Sequence, residues 1–287
     1  MSIIVNFFLQ LINFIDIFFN KLLKRDFRGL LFDKMQKKFT KVKIENKTIN
    51  FYSPNSILSW RVKTYFSKEP ETLDWIKKFK KKKSSDIIFW DIGANIGLYS
   101  IYSCVVHSND ISVVSFEPSV NNLKSLATNI SINNYNNQIK VLSNPLSNTN
   151  KFSKLNESSI LDGSALNSFS NNLNFEGKIF QPAISYKTLG FSLDYLVENS
   201  FLKIPDFIKI DVDGNEHLIL EGFRNNLTNN KILQIMVEVN ENYREQLDTI
   251  LNIMKDCNFK LTDKFKASIP NGEIDKFSKT YNYLFER

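Results

Sequence analysis

From residue 86 to residue 264, short apolar runs alternate with stretches in which apolar residues return every three or four positions. Ile87-Ile88-Phe89-Trp90 is apolar throughout, the pattern of a strand covered on both faces. Ile96 to Val106 then carries helical spacing. So does 119–134, where Val120, Leu123, Leu126, Ala127 and Ile130 share one face. Further strands are predicted at 111–116, 139–142, 207–210 and 232–239, and a helix at 244–257. Two last strands, 258–264 and 280–286, are placed to pair antiparallel. This order predicts an α/β fold: a doubly wound, mostly parallel, seven-stranded Rossmann-like sheet with an antiparallel final strand. Residues 143–177 break the rhythm with 8 Ser and 8 Asn among 35 residues. They read as part of a long insertion, 143–190, whose Gly163-Ser164-Ala165 and Asn167-Ser168-Phe169 would form a lid over a ligand.

Residues 3–23 are rich in Phe, Ile and Leu, but Asn6, Gln10, Asn13, Asp16, Asn20 and Lys24 recur on one helical stripe. A helix of this length would be about 30 Å long, yet a charged Asp16 at the centre of a lone span is expensive. No basic residue precedes the apolar run and no small-residue cleavage site follows it, so the stretch does not read as a secretory signal. The expectation is an amphipathic helix within 1–28, packed on the chain's own core, on a dimer partner, or peripherally on an inner membrane surface, with a true span as the remaining alternative. The domains read as an appendage over 1–50, a segment over 51–85 that leads into and covers the site, and the main domain over 86–287.

Composition adds little until it is divided. Apolar residues make up 43% and charged residues 23% of 287, ordinary for a globular chain, with a formal net charge of +7. Residues 1–85 hold 19 basic and 7 acidic side chains; the remainder hold 18 and 23. The site-bearing part is therefore net acidic, which argues against nucleic acid as a partner. The run Lys77–Lys83, with only Phe79 interleaved, reads as a solvated helix end. Two cysteines, Cys104 and Cys257, form no disulfide framework or zinc pattern and point to a reducing, cytoplasmic setting. His107 reads as a surface residue.

Candidate chemistry begins at Asp91-Ile92-Gly93-Ala94-Asn95-Ile96-Gly97, where the first strand hands over to the first helix. Glycines there let backbone approach a ligand, and the helix start offers free N–H groups. The spacing is neither the dinucleotide G-x-G-x-x-G nor a phosphate loop. Glu117, in Ser115-Phe116-Glu117-Pro118, follows the second strand and is placed to accept both hydroxyls of a ribose. Together these suggest a nucleoside with a zwitterionic tail.

In these residues the chain resembles the FkbM-type S-adenosylmethionine-dependent methyltransferases of the class I methyltransferase fold. The resemblance continues with Asn129 and Asn133, with Phe191-Ser192-Leu193-Asp194, and with Pro205 to Gly214. Upstream it takes in Lys68-Glu69-Pro70-Glu71-Thr72 and Trp75, so that it covers about 60–286 and leaves 1–50 unexplained. It implies that Asp91, Gly93, Asn95 and Gly97 surround the methionine part of S-adenosylmethionine, Asp91 near its ammonium group. Glu117 would take the ribose, and adenine would lie around Asn144 to Ser147. Trp60, Arg61, Lys68, Glu69 and Glu71 would fold over the cofactor.

Asp211-Val212-Asp213-Gly214-Asn215-Glu216-His217 follows the fourth strand, which in that fold ends beside the transferred methyl group. Methyl transfer needs alignment of donor and acceptor and removal of the acceptor's proton. Asp211, Asp213 and His217 are the catalytic candidates, with Asp211 also on the cofactor side and His217 or Asp211 as the base. In an alternative reading, Asp211 and Asp213 with Glu216 or Glu238 hold a magnesium ion that polarises a hydroxyl pair. In a third, Asp213 and Glu216 cap the helix and fix the loop. The expected activity is O-methylation of a small-molecule or glycan hydroxyl. N-methylation, a lipid-linked acceptor, and a non-catalytic nucleoside-binding or membrane-docking module stand as alternatives.

Overall fold

A computed structural model describes residues 2–80, 86–266 and 277–287. Lys81–Lys83 of the basic run lie outside them. The chain opens with α1 (Ser2–Leu23) and α2 (Phe27–Gln36), then a hairpin of β1 (Phe39–Ile44) and β2 (Lys47–Tyr52). Helices α3 (Ser56–Lys63) and α4 (Pro70–Lys77) lead into the alternating part. There β3 (Ile87–Ile92), α5 (Leu98–His107), β4 (Ile111–Phe116), α6 (Val120–Ile132) and β5 (Ile139–Leu142) follow in turn. After β6 (Lys151–Glu157), β7 (Ser168–Phe169) and β8 (Ile184–Gly190) come α7 (Leu193–Glu198), β9 (Phe207–Ile210), α8 (Glu216–Glu221) and α9 (Arg224–Leu227). The chain closes with β10 (Gln234–Asn240), α10 (Arg244–Asp256), β11 (Lys260–Lys266) and β12 (Thr280–Glu286).

The main sheet has seven strands in the order β11-β12-β10-β9-β3-β4-β5. β3, β4, β5, β9 and β10 run parallel, and β12 pairs antiparallel with both β10 and β11. Each face carries its own core. Phe89, Val113, Phe207 and Met236 pack with β1–β2 and α3–α6; Trp90, Val114, Ile208 and Val237 pack with α7–α10. Successive side chains of one strand thus feed opposite layers.

Two sequence readings are corrected here. The boundary at residue 50 falls inside β2, and the hairpin is part of the body: Ile44, Ile49 and Phe51 are buried in the same core as Phe89. The insertion 143–190 is not a long loop, because β6 pairs antiparallel with β7 and along its whole length with β8. This small sheet buries few apolar side chains and draws instead on backbone pairing and Ser/Asn bonds such as Ser185 Oγ to Asn156 Oδ1 (2.6 Å).

Asn129 and Asn133 explain how the hairpin is held. Asn129 Oδ1 accepts from Tyr52 N (2.7 Å) while its Nδ2 donates to Ile96 O (2.9 Å) in the glycine turn. Asn133 exchanges both bonds with the Asn50 backbone. Asn129 is fully buried. Asn129→Ala leaves one donor and one acceptor unpaired, and chemical denaturation should find the protein less stable by about 2–3 kcal/mol.

Candidate functional site

Strand register places the site. Ile92 of β3 lies level with Phe116 of β4 and Ile210 of β9, and Ile210 with Val237 of β10. The next residues, Gly93, Glu117, Asp211 and Glu238, therefore emerge together at the carboxyl ends of the strands, where ligands of such sheets bind. All four line a cavity of about 590 Å³, within the range of small-ligand pockets.

Gly93 has φ +89°, and a Cβ built there would sit 1.8 Å from the Asp211 carbonyl oxygen. The turn after β3 thus packs directly on the end of β9, which only glycine permits. Asn95, also at positive φ, donates its backbone N–H to Glu117 Oε2 (2.8 Å), and Ser119 N donates to Oε1 (2.9 Å). Burial pushes the Glu117 carboxyl up to about 8 against these bonds.

A buried charge network lies beside this end of the sheet. Lys209 Nζ is 2.6 Å from Asp211 Oδ2 and 4.8 Å from the centre of the Tyr99 ring. Burial opposes its charge, but Asp211, Glu69 and Asp91 together raise the Lys209 pKa. Glu69 precedes α4, accepts from Tyr99 Oη (2.7 Å) and pairs with Lys68 (2.7 Å). Burial favours its neutral form, yet Lys68 and Lys209 win and lower its pKa. Glu238 shifts the other way, up, through burial and then the nearby Asp211 and Glu69.

The loop after β9 is fixed by Glu216, whose Oε1 accepts from Val212 N (2.9 Å) and whose Oε2 accepts from Gly214 N (3.0 Å) and Gln246 Nε2 (2.5 Å). Glu216 thus has the loop-fixing role. Asp213 does not share it. Held at φ +64°, it lines the cavity and accepts from Leu166 N across the cavity (2.6 Å). Burial, then the neighbouring Asp211, pushes its carboxyl up to about 6.

Residues 163–167, read from the sequence as part of a lid, lie on the cavity wall within a sheet-bearing segment. Gly163 N donates to Asn122 Oδ1 (2.8 Å), and Ser164 O accepts from Asn95 Nδ2 (2.8 Å) and Asn122 Nδ2 (3.1 Å). Arg61 Nε donates to Gly163 O (2.5 Å), and Asn55 Nδ2 to Asp162 O (2.9 Å). Asn55 and Asn122 were not singled out from the sequence. As an N-cap and a helix residue, they carry no signal of a role in binding a distant segment.

A family model, the methyltransferase FkbM domain, matches residues 91–261. The chain belongs to the FkbM methyltransferase family. No curated protein matches it. Among solved structures it is similar to an FkbM methyltransferase from Methylobacillus flagellatus KT, at 15% identity and TM-score 0.45 over 90% of this chain and 59% of that one. It is also similar to precorrin-6y C5,15-methyltransferase from Geobacter metallireducens GS-15 (10% identity, TM-score 0.42, 76% and 86% covered). A third is M. jannaschii TYW2 in complex with AdoMet (12% identity, TM-score 0.41, 87% and 86% covered).

In this FkbM domain the cavity brings together Glu69, Gly93, Asn95, Glu117, Asp211, Asp213 and Glu238, with Trp60, Arg61, Lys68 and Asn144 to Leu146 also on its wall. Four sequence-based placements fall elsewhere. Asp91 is buried behind the turn, where Ser100 Oγ donates to its Oδ2 (2.5 Å), and Gly97 packs against Leu126 as the start of α5. Glu71 faces Asn282 (3.2 Å). His217 is buried on α8, its ring 5.6 Å from Tyr243, and is not on the cavity wall. Burial lowers its pKa. As the second residue of α8 it faces Tyr243 at the start of α10, a geometry that the local acidic sequence conceals.

Carboxylate oxygens of Asp211, Asp213 and Glu238 come within 4.8 Å of one another. They are the residues the sequence names for a magnesium ion; Asp211 Oδ2 is engaged by Lys209 and Asp213 Oδ2 by Leu166 N, which leaves the second oxygen of each.

Proposed function

We propose that this FkbM domain transfers a methyl group from S-adenosylmethionine to a hydroxyl oxygen of a sugar or glycan precursor. The carrying observation is that Glu117 and the Gly93–Asn95 turn open side by side onto one cavity with five carboxylates and two cations on its wall. An acidic wall suits a cationic sulfonium. Among the described residues, buried Asn95 Oδ1 and Ser164 Oγ have no hydrogen-bond partner, and each can accept from a bound ligand. The residues present fit the cofactor: Glu117 would accept from the ribose hydroxyls, Asn144 to Leu146 would flank the base, and Glu69 or Asp211, rather than Asp91, would meet the ammonium group.

Bound S-adenosylmethionine supplies an electrophilic methyl group on sulfur. The chain's own contribution is to exclude water beneath residues 163–167, hold the acceptor, and take its proton as the oxygen–carbon bond forms. Asp213 is the proton acceptor in this reading, since a carboxyl near 6 is ionised at neutral pH and retains basicity. Asp211, steadied by Lys209, orients the hydroxyl. Trp60 and the carboxylates that share the cavity wall with it provide the mixed apolar and hydrogen-bond-accepting surface that a sugar ring needs.

Isothermal calorimetry with S-adenosylmethionine and with its demethylated product tests the cofactor assignment. Both should bind one per chain; heat from neither would overturn it.

A further inference from the structure

The strongest feature outside the cavity is the helical pair α1–α2. Phe7, Phe8, Leu11, Phe14, Phe18 and Leu22 of α1 are between 45% and 71% exposed. The window Ile3–Leu23 has a mean hydropathy of 1.7 and none of it is buried. Leu30, Phe32 and Met35 of α2 are exposed as well. Apolar surface this extensive marks a docking site.

How α2 folds back tells which orientation the pair can take. Phe27 stacks on Phe19 (5.4 Å between ring centres), Arg28 N donates to Asp16 Oδ1 (3.0 Å), and the Arg28 guanidinium donates to Asn13 Oδ1 (3.1 Å). The polar stripe of α1 is therefore engaged, at mid-length, by a charged side chain of the next helix. If α1 stood upright across a bilayer, Asp16, Asn13 and Arg28 would all sit in the hydrocarbon centre, at high cost. Lying flat, the pair keeps this seam at headgroup level while the phenylalanines enter the acyl boundary.

The charge identifies the surface. Residues 1–38 carry seven basic side chains against three acidic ones, and Lys41 and Lys43 follow. A two-fold pairing with a second copy would set this net-positive segment against itself. An anionic phospholipid surface complements it instead. We propose that α1 and α2 anchor the protein in the plane of an anionic bilayer without crossing it.

Full-length protein is added to preformed vesicles of phosphatidylcholine alone, or mixed three to one with phosphatidylglycerol, and floated on a density gradient. The protein should float with the mixed vesicles, and Phe14→Asp/Phe18→Asp should cut the floated fraction about tenfold or more. The variant's thermal unfolding should match the parent's, showing the body intact. Equal flotation of variant and parent would overturn the proposal. So would failure to float together with a dimer, seen by light scattering, that the variant makes monomeric. Protein that ignores preformed vesicles, yet resists alkaline extraction from the membranes of expressing cells, would show a span and overturn it too.

Discussion

At pH 7, Glu117→Gln should bind S-adenosylmethionine about a hundredfold more weakly than the parent, and its binding should release no proton. The parent should release close to one. Glu117 is 5% exposed, and both its oxygens already accept backbone N–H bonds, yet burial leaves its carboxyl near 8. At pH 7 it therefore holds a proton in the free protein. A ribose offers two O–H donors, which the carboxylate accepts and the acid cannot match, so cofactor binding expels the proton. The sign follows: a ligand preferring the ionised form binds tighter as pH rises, by up to about tenfold per unit, and levels off above about 8. Calorimetry in buffers of different ionisation enthalpy counts the proton. Gln keeps the shape and one acceptor but loses the charge-assisted pair, which accounts for about two powers of ten. Affinity independent of pH, with no proton released, would place the ribose elsewhere.

The sheet was legible because its strands are short and apolar and its helices periodic. Ile87–Trp90 covered on both faces and the spacing of Val120 to Ile130 are local signals, and each matches the observed β3 and α6 within a few residues. The β1–β2 hairpin had a signal that went unread. Val42, Ile44, Ile49 and Phe51 alternate with polar residues around a tight Glu45-Asn46 turn, with Glu45 at φ +50°, but interleaved lysines gave the stretch the look of a basic tail. β6 and β8 had a weaker one: their partners lie about thirty residues apart, and their exposed face mixes Phe152 and Leu189 with Lys154, Ser185 and Lys187, so that no clean apolar and polar alternation marks them.

The site divides in the same way. Residues that leave a strand end in register, Gly93, Glu117, Asp211 and Glu238, were found because the strand was found. Residues one step removed were not placed correctly. Asp91 lies level with Lys209, two positions before Asp211, so it keeps the same side of the sheet but sits about 7 Å further back along the strand, where Ser100 Oγ, itself bonded to Ser115 Oγ, donates to it. The anchors of residues 163–167 depend on contacts spanning 41 to 107 positions, which no single-sequence period encodes.

Asp213→Asn should lower turnover by about 10²–10⁴ while leaving S-adenosylmethionine affinity within about twofold of the parent. Asn at this position keeps an oxygen that accepts from Leu166 N, so the cover over the cavity stays anchored. What it loses is the capacity to take a proton. With S-adenosylmethionine saturating throughout, the parent's kcat/KM for the acceptor should rise with pH along an acid limb centred near 6, the value to which burial and Asp211 bring this carboxyl. In Asp213→Asn that limb should vanish. Stability should move the opposite way. A carboxyl raised in the folded protein contributes stability that is complete below about 4 and lost as pH rises through about 6. The Asn variant should therefore gain in Tm relative to the parent between pH 4 and pH 7. A functional carboxylate kept ionised against its burial is a strained group, and removing the charge relaxes the fold as it stops the chemistry. Turnover unchanged in Asp213→Asn but lost in Asp211→Asn would move the proton acceptor to Asp211. A Tm difference flat with pH would mean that water reaches Asp213 freely.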